Sequence, residues 1–148
     1  MIIQQLSVFV ENRPGTLVEV LRVLKEHEIN LRALSVADTA DFGILRIVVN
    51  DPEKVERILR GAGYAVKSTP VLTLTVEDTP GGLMVQLDKL SNAGINVEYL
   101  YAFASTSATE ARVVIKVDNL ERADRIVNGE TNPNAGGKEK SEVPGFYW

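Results

Sequence analysis

The sequence predicts an α+β chain made of two tandem βαββαβ units. Three observations predict it. Apolar residues alternate with a period of two in some stretches and recur every three to four residues in others. A Pro-Gly turn separates the first stretch of each kind from the second. Finally, the whole pattern occurs twice. Leu6-Ser7-Val8-Phe9-Val10-Glu11-Asn12-Arg13-Pro14-Gly15-Thr16-Leu17 returns as Leu72-Thr73-Leu74-Thr75-Val76-Glu77-Asp78-Thr79-Pro80-Gly81-Gly82-Leu83, at an offset of 78 − 12 = 66. Ile29-Asn30-Leu31 returns as Ile95-Asn96-Val97 at the same offset. Ile47-Val48-Val49-Asn50-Asp51 returns as Ile115-Lys116-Val117-Asp118-Asn119, now at 115 − 47 = 68. The second copy therefore gains two residues between these segments, most simply in a longer hairpin loop.

Each element follows from its own pattern. Residues 3–10 alternate, with Leu6, Val8 and Val10 on one face, and read as a strand. Glu11 to Gly15 is a turn, punctuated by Pro14-Gly15. Leu17, Val20, Leu21 and Leu24 share one face of a helix. Residues 31–37 and 42–50 read as strands joined by Asp38-Thr39-Ala40-Asp41. Asp51-Pro52 supplies an N-cap and a proline at the first helical position. Val55, Ile58 and Leu59 give that helix its apolar face, and Gly61 and Gly63 end it. Tyr64 to Lys67 is a short fourth strand. A rigid linker, Lys67-Ser68-Thr69-Pro70, leads to the second copy. There, strand 70–76 precedes a helix bearing Leu83, Leu87 and Leu90. Strands near 97–104 and 111–117 follow, then a helix bearing Ala123, Ile126 and Val127.

The predicted boundaries are a first domain over 1–68, a second over 69–128 and a tail over 129–148. A domain of about 65 residues buries only some 60% of its unfolded surface and is marginal alone. The tail departs from the repeat. Where a fourth strand is due near residue 132, Asn128 to Glu142 is rich in Gly, Asn, Lys and Glu. Val143-Pro144-Gly145-Phe146-Tyr147-Trp148 then ends the sequence with three consecutive aromatics, which argues for docking on the body in place of the missing strand.

Composition narrows the function. The 148 residues contain no cysteine and one histidine, which removes disulfides, thiolate metal sites and cysteine nucleophiles. Lys+Arg 16 against Asp+Glu 20 gives a net charge of −4, without the basic stripe of a nucleic-acid binder. No apolar run approaches the ~20 residues that span a bilayer, and no signal peptide is visible. The expectation is a cytoplasmic protein that binds neither nucleic acid nor membrane. An enzyme would need paired carboxylates, a triad or a metal cluster, and none is apparent. Asp78 with a tyrosine is the nearest approach to an acid–base pair.

A βαββαβ repeat whose first turn reads Glu-Asn-x-Pro-Gly-x-Leu, with Ile-Asn at the end of its first helix, resembles the ACT-domain family. Glu11-Asn12-Arg13-Pro14-Gly15-Thr16-Leu17 is similar to the regulatory domain of phosphoglycerate dehydrogenase, and Leu6 to Asn12 to the opening of the acetolactate synthase small subunit. The resemblance covers residues 3–67 and 70–127. It implies ferredoxin-like domains with strand order 4-1-3-2 and both helices on one face of the sheet. It also implies a regulatory protein without a cofactor that binds an amino acid at an ACT–ACT interface near the first strand–helix turn. A homodimer is implied, with an amino-acid metabolic enzyme as a possible partner. A regulatory subunit of a biosynthetic enzyme, such as acetolactate synthase, is the alternative.

The candidate ligand residues are Asn12, Arg13, Pro14, Gly15, Thr16, Leu17 and Asn30 in copy one. In copy two they are Asp78, Thr79, Pro80, Gly81, Gly82, Leu83 and Asn96. A helix N-terminus presents unpaired N–H groups to a carboxylate. Gly15 lets a ligand approach the backbone, and the Asn side chains accept hydrogen bonds from an ammonium. If Arg13 points inward, it can clamp a carboxylate. Asn12 and Asn30 are expected to face one pocket. The ordinary reading is turn and N-cap chemistry for Asn12 and Asp78, and a left-handed helix end for Asn30. His27 is expected on a solvated helix face. Asp51 and Asn119 are expected to be N-caps. Tyr99 and Tyr101 are expected on one strand face, in core or interface. Gly61-Ala62-Gly63 lacks the lysine and hydroxyl of a phosphate loop.

Overall fold

The computed structural model describes residues 1–39, 41–104 and 109–129. The elements are β1 (Ile2–Glu11), α1 (Thr16–Glu26), β2 (Ala33–Asp38), β3 (Phe42–Val48), α2 (Pro52–Gly61) and β4 (Ala65–Glu77). They continue with α3 (Gly82–Asn92), β5 (Val97–Ala102), β6 (Glu110–Val117), α4 (Leu120–Asp124) and a π-helical turn, Arg125–Gly129. Among the described residues the first copy is complete as βαββαβ, and the second shows the expected strand, helix, two strands and helix. The added residues of copy two fall between β5 and β6.

The predicted linker is not one. The short fourth strand of copy one and the first strand of copy two are a single 13-residue strand, β4. Pro70 is tolerated inside it because β4 pairs with β6 only from Leu72 onward, so no β6 ladder bond is lost at residue 70. The chain divides into two compact units at this point. One is Gln4–Pro70. The other begins at Val71 and takes Met1–Ile3 as well.

In the unit Gln4–Pro70 the strand order is β2-β3-β1-β4, the 4-1-3-2 order of the family read from its other end. β1 and β3 are antiparallel in the register Leu6↔Ile47 and Val8↔Leu45. The alternation of β1 puts Leu6, Val8 and Val10 into one core with Leu45, Ile47, Val20, Leu24, Val55 and Leu59. Each such side chain, fully buried, contributes about 1.5–3 kcal/mol. Leu21, expected on the buried face of α1, is 41% exposed; Leu17 and Val23 flank the core instead.

In the other unit β4, β6 and β5 lie in that order, with Leu72↔Ile115 and Leu100↔Ile115 in register. Leu72, Leu74 and Val76 meet Val113, Ile115, Leu83 and Leu90 in a second core. Beside β4 lies the start of the chain. The Thr73 N–H donates to the Met1 carbonyl at 2.9 Å, and the Met1 amine donates to the Thr73 carbonyl at 3.3 Å. This reciprocal exchange is that of an antiparallel hydrogen-bonded pair. Met1–Ile3 thus holds the position of a fourth strand in this unit. The strand anticipated near residue 132 and the docking of the aromatic tail concern residues 130–148, which lie outside the described residues.

Candidate functional site

The four helices start in two different ways. α2 and α4 begin with side-chain caps. The Lys54 N–H donates to Asp51 Oδ1 at 3.2 Å, and the Arg122 N–H to Asn119 Oδ1 at 3.3 Å. Both residues are the N-caps the sequence predicts. α1 and α3 begin instead at Gly15 and Gly81, which are left-handed (φ 89° and 81°) and make no side-chain cap. The positive end of each helix dipole is therefore left without a side-chain cap; the first turn of α1 carries Glu19 and that of α3 no acidic residue. A Cβ built at Gly15 would meet nothing within 4 Å, so the space over this turn is open.

The backbone of the two turns is the same. The Arg13 N–H donates to the Glu11 carbonyl at 3.0 Å and the Thr79 N–H to the Glu77 carbonyl at 3.1 Å. The side chains differ. Thr16 is buried, and its hydroxyl donates to the Glu11 carbonyl at 2.7 Å. Gly82, its counterpart, has no such group. Arg13 does not point inward: its side chain is exposed, and its Nε donates to Glu11 Oε2 at 2.7 Å. That hydrogen bond, and then the charge of Glu11, raise the Arg13 pKa above its ordinary value. Asn12, Pro14 and Gly15 are exposed, and Leu17 is half-buried. Phe9, Val10, Glu11, Arg13, Thr16, Glu19 and Tyr64 line a cleft of about 190 Å³ beside this turn. Phe9 and Tyr64 were not singled out from the sequence; only tertiary structure brings them to the turn. In copy two, Asp78 is exposed and its N–H donates to the Thr109 carbonyl at 3.1 Å; Thr79 is half-buried and Pro80 exposed.

Asn30 is elsewhere. It lines a second cleft, of about 220 Å³, with Glu28, Ile29, Val49, Asn50, Asp51, Lys54 and Val55. β1 ends where α1 starts, and Asn30 follows the far end of α1. Eleven helical residues separate the two, about 16 Å of axis. Contrary to the expectation from the sequence, one pocket of one unit does not take both Asn12 and Asn30, because the helix between them sets them at opposite ends. Asp78 and Asn96 are separated in the same way by the eleven residues of α3.

Asn30 and Asn96 are also not the left-handed helix ends. Those are Glu28 (φ 54°) and Gly94 (φ 72°). The Ile29 N–H donates to the Leu24 carbonyl and Glu28 N–H to Lys25, matched by Ile95 to Leu90 and Gly94 to Ser91. Both ends are Schellman closures, complete before the Asn is reached. Turn geometry therefore does not account for Asn30 or Asn96. A further repeated pair lies next to them. Asn50 Oδ1 accepts from Arg32 Nε at 2.9 Å, and Asp118 Oδ1 accepts from the Asn96 N–H at 3.1 Å. Its signal in the sequence is the 68-residue offset.

His27 is exposed, with its Nδ1 2.9 Å from the Val23 carbonyl. Among the described residues no group of three or more His, Cys, Asp or Glu could hold a metal ion. No helix among them is long and apolar enough to cross a membrane.

Two βαββαβ units with repeated glycine-led turns define a tandem pair of ferredoxin-like domains. The chain belongs to the ACT domain pair family, whose model matches residues 1–133. It is 40% identical to a solved protein of Bacteroides thetaiotaomicron, over 85% of this chain and 86% of that one, with a TM-score of 0.80. The fold is also similar to the regulatory subunit of aspartate kinase from Thermus thermophilus (16% identity, 86% of this chain and 95% of that one, TM-score 0.62). The corresponding subunit from Thermus flavus gives 17% identity, 86% and 93% coverage, and a TM-score of 0.59. No curated protein matches the chain in sequence.

Proposed function

We propose that this ACT domain pair is a non-enzymatic regulatory protein that binds a free amino acid. The observation that carries the reading is the contrast between helix starts. α2 and α4 are capped by their own Asx side chains, whereas α1 and α3 start uncapped at left-handed glycines, with open space over Gly15. A ligand carboxylate suits such a start, and the side-chain oxygens of Asn30 or Asn96 suit an ammonium. Because Asn12 and Asn30 sit at opposite ends of α1, a ligand that uses both needs the turn of one ACT domain and the asparagine of another. We assign the second to another copy of the chain, making a homodimer with ligands at ACT–ACT interfaces. The site then comprises Asn12 to Leu17 with Asn30, and Asp78 to Leu83 with Asn96. Ligand binding favours one arrangement of the chains by differential affinity.

A second reading makes the chain the regulatory subunit of an amino-acid biosynthetic enzyme. Its support is that the fold matches nearly the whole length of a chain that is itself a regulatory subunit of aspartate kinase. Co-purification with a larger enzyme would favour it.

Thermal unfolding with each of the twenty common amino acids tests the first reading. A ligand at 100 times its Kd stabilises the folded state by about 2.7 kcal/mol, a shift of several degrees. Asn12→Ala or Asn30→Ala should remove the shift if copy one binds, and Asp78→Ala or Asn96→Ala if copy two does. No shift with any amino acid at millimolar concentration sinks the proposal.

A further inference from the structure

The outer face of α3 carries an apolar groove that shares only Leu83 with the proposed amino-acid site. Leu83, Met84, Leu87, Asp88 and Ser91 line it, with a volume of about 410 Å³. Met84 is 68% exposed, the highest value among the exposed large apolar side chains of the described residues. Leu83 and Leu87 form its floor, since both also pack on the core of this unit. An exposed thioether over a leucine floor invites an apolar cover.

We propose that the cover is the aromatic end of the same chain, Phe146-Tyr147-Trp148. Three observations converge on this occupant. The last described residues, Arg125–Gly129, pack against α3, and Ile126 and Val127 share a core with Leu87. The chain beyond Gly129 therefore starts beside α3, the helix that carries the groove. Next, length suffices. Fourteen residue steps (143 − 129) lead from Gly129 to Val143, which reach up to about 46 Å when extended, against about 16 Å for the whole of α3. Closing a loop of that length costs little more than closing a shorter one. Last, the chemistry matches. An indole or phenol has an apolar body for Leu83, Met84 and Leu87, and a polar N–H or O–H for the Asp88 carboxylate or Ser91 hydroxyl at the rim. Covalent attachment keeps the aromatics at high effective concentration, so a modest contact holds them. The groove thus acts as a receptor for an aromatic peptide segment, and its resident occupant is the chain's own.

Trp148 is the single tryptophan, so its fluorescence reads the proposal directly in the full chain. The expected result is blue-shifted emission, independent of protein concentration. Met84→Glu should move it to the wavelength of a water-exposed indole while the protein still unfolds cooperatively, with a midpoint lowered by no more than loss of the tail contact, because Met84 is a surface residue. Ser91→Arg, at the other end of the groove, should act likewise and serves if the first variant fails to fold. Val18→Glu, at the equivalent position of α1 (84 − 66 = 18), should leave the emission untouched. Water-like emission in the parent protein overturns the proposal, as does blue-shifted emission that neither groove variant changes. A blue shift lost on dilution overturns it too, in favour of occupation by a second copy's tail.

Discussion

Copy one and copy two share a backbone and divide on what holds it. At the start of the first helix, copy one fixes its turn with the Thr16 hydroxyl on the Glu11 carbonyl and with the Arg13–Glu11 pair. Copy two has Gly82 and Thr79 at these positions and follows the same path without that hydroxyl or that arginine. At the end of the helix the roles reverse. Copy two has Gly94 where the chain turns left-handed, while copy one holds Glu28 in that conformation. A left-handed non-glycine residue costs about 1–2 kcal/mol. The same repeat is therefore braced at one end and strained at the other in copy one, and the opposite holds in copy two. The lesson is that the turns are dictated by the fold, and the side chains on them are free to differ.

The largest expected effect comes from removing the brace. Thr16→Gly makes copy one resemble copy two at this turn. It deletes a buried hydrogen bond, leaves the Glu11 carbonyl without it, and adds backbone freedom to the unfolded chain. The expected loss is about 2 kcal/mol, read as a lower denaturation midpoint in urea at unchanged m-value. Equal stability would mean that the Thr16 hydroxyl is dispensable and the copies are equivalent here.

Next come the helix ends. Gly94→Glu puts copy one's residue into copy two. The space at Gly94 is open to 4 Å, so the cost is that of the backbone alone, about 1–2 kcal/mol. Glu28→Gly does the reverse and should stabilise by about 0.5 kcal/mol, the relief of strain less the greater entropy of an unfolded glycine. Thermal midpoints moving in opposite directions for the two exchanges would confirm the comparison. A loss for Glu28→Gly would instead mean that the Glu28 side chain, which lines the Asn30 cleft, stabilises the fold.

How much of this was legible in the sequence follows from how local each signal is. The repeat, the strand alternation and the Asx-Pro helix starts at Asp51 depend on neighbours a few residues away, and the sequence carries them openly. The continuity of β4 through Pro70 was hidden, because a proline is a breaker unless the ladder on its N–H side is absent. That absence is a property of where the β4–β6 pairing ends. The filling of the fourth-strand position by Met1–Ile3 joins residues about seventy apart, and no local pattern reports it. The site shows the same division. The turns before α1 and α3 were readable from Pro-Gly, but their lack of a side-chain cap was not, since an Asx before Pro-Gly suits an N-cap equally well. The separation of Asn12 from Asn30 was also implicit in a helix lying between them, and only its length in space makes that decisive. Glu28 gave no signal, since nothing in Glu26-His27-Glu28 marks a left-handed residue except its alignment with Gly94.

The smallest effect lies in the last helix of each copy. Glu56 and Arg60 of α2 form an i,i+4 ion pair at 3.0 Å. At the 68-residue offset their counterparts are Asp124 and Asn128, where the amide donates to Asp124 Oδ1 at 2.9 Å. The Asn128 bond first, opposed by burial and helped by the Met1 ammonium 3.1 Å away, lowers the Asp124 pKa below its ordinary value. A lowered carboxyl pKa contributes stability that is present above the unfolded value, about 3.9, and is lost as pH falls through the folded value. Asn128→Ala should therefore reduce stability by about 0.5–1 kcal/mol at neutral pH, and less as Asp124 becomes protonated below pH ~3.9. Urea titrations of parent and variant at neutral and acidic pH read the convergence directly. A difference that persists undiminished at acid pH would show that Asn128 acts through the Thr73 carbonyl, 3.4 Å from its amide, and not through Asp124.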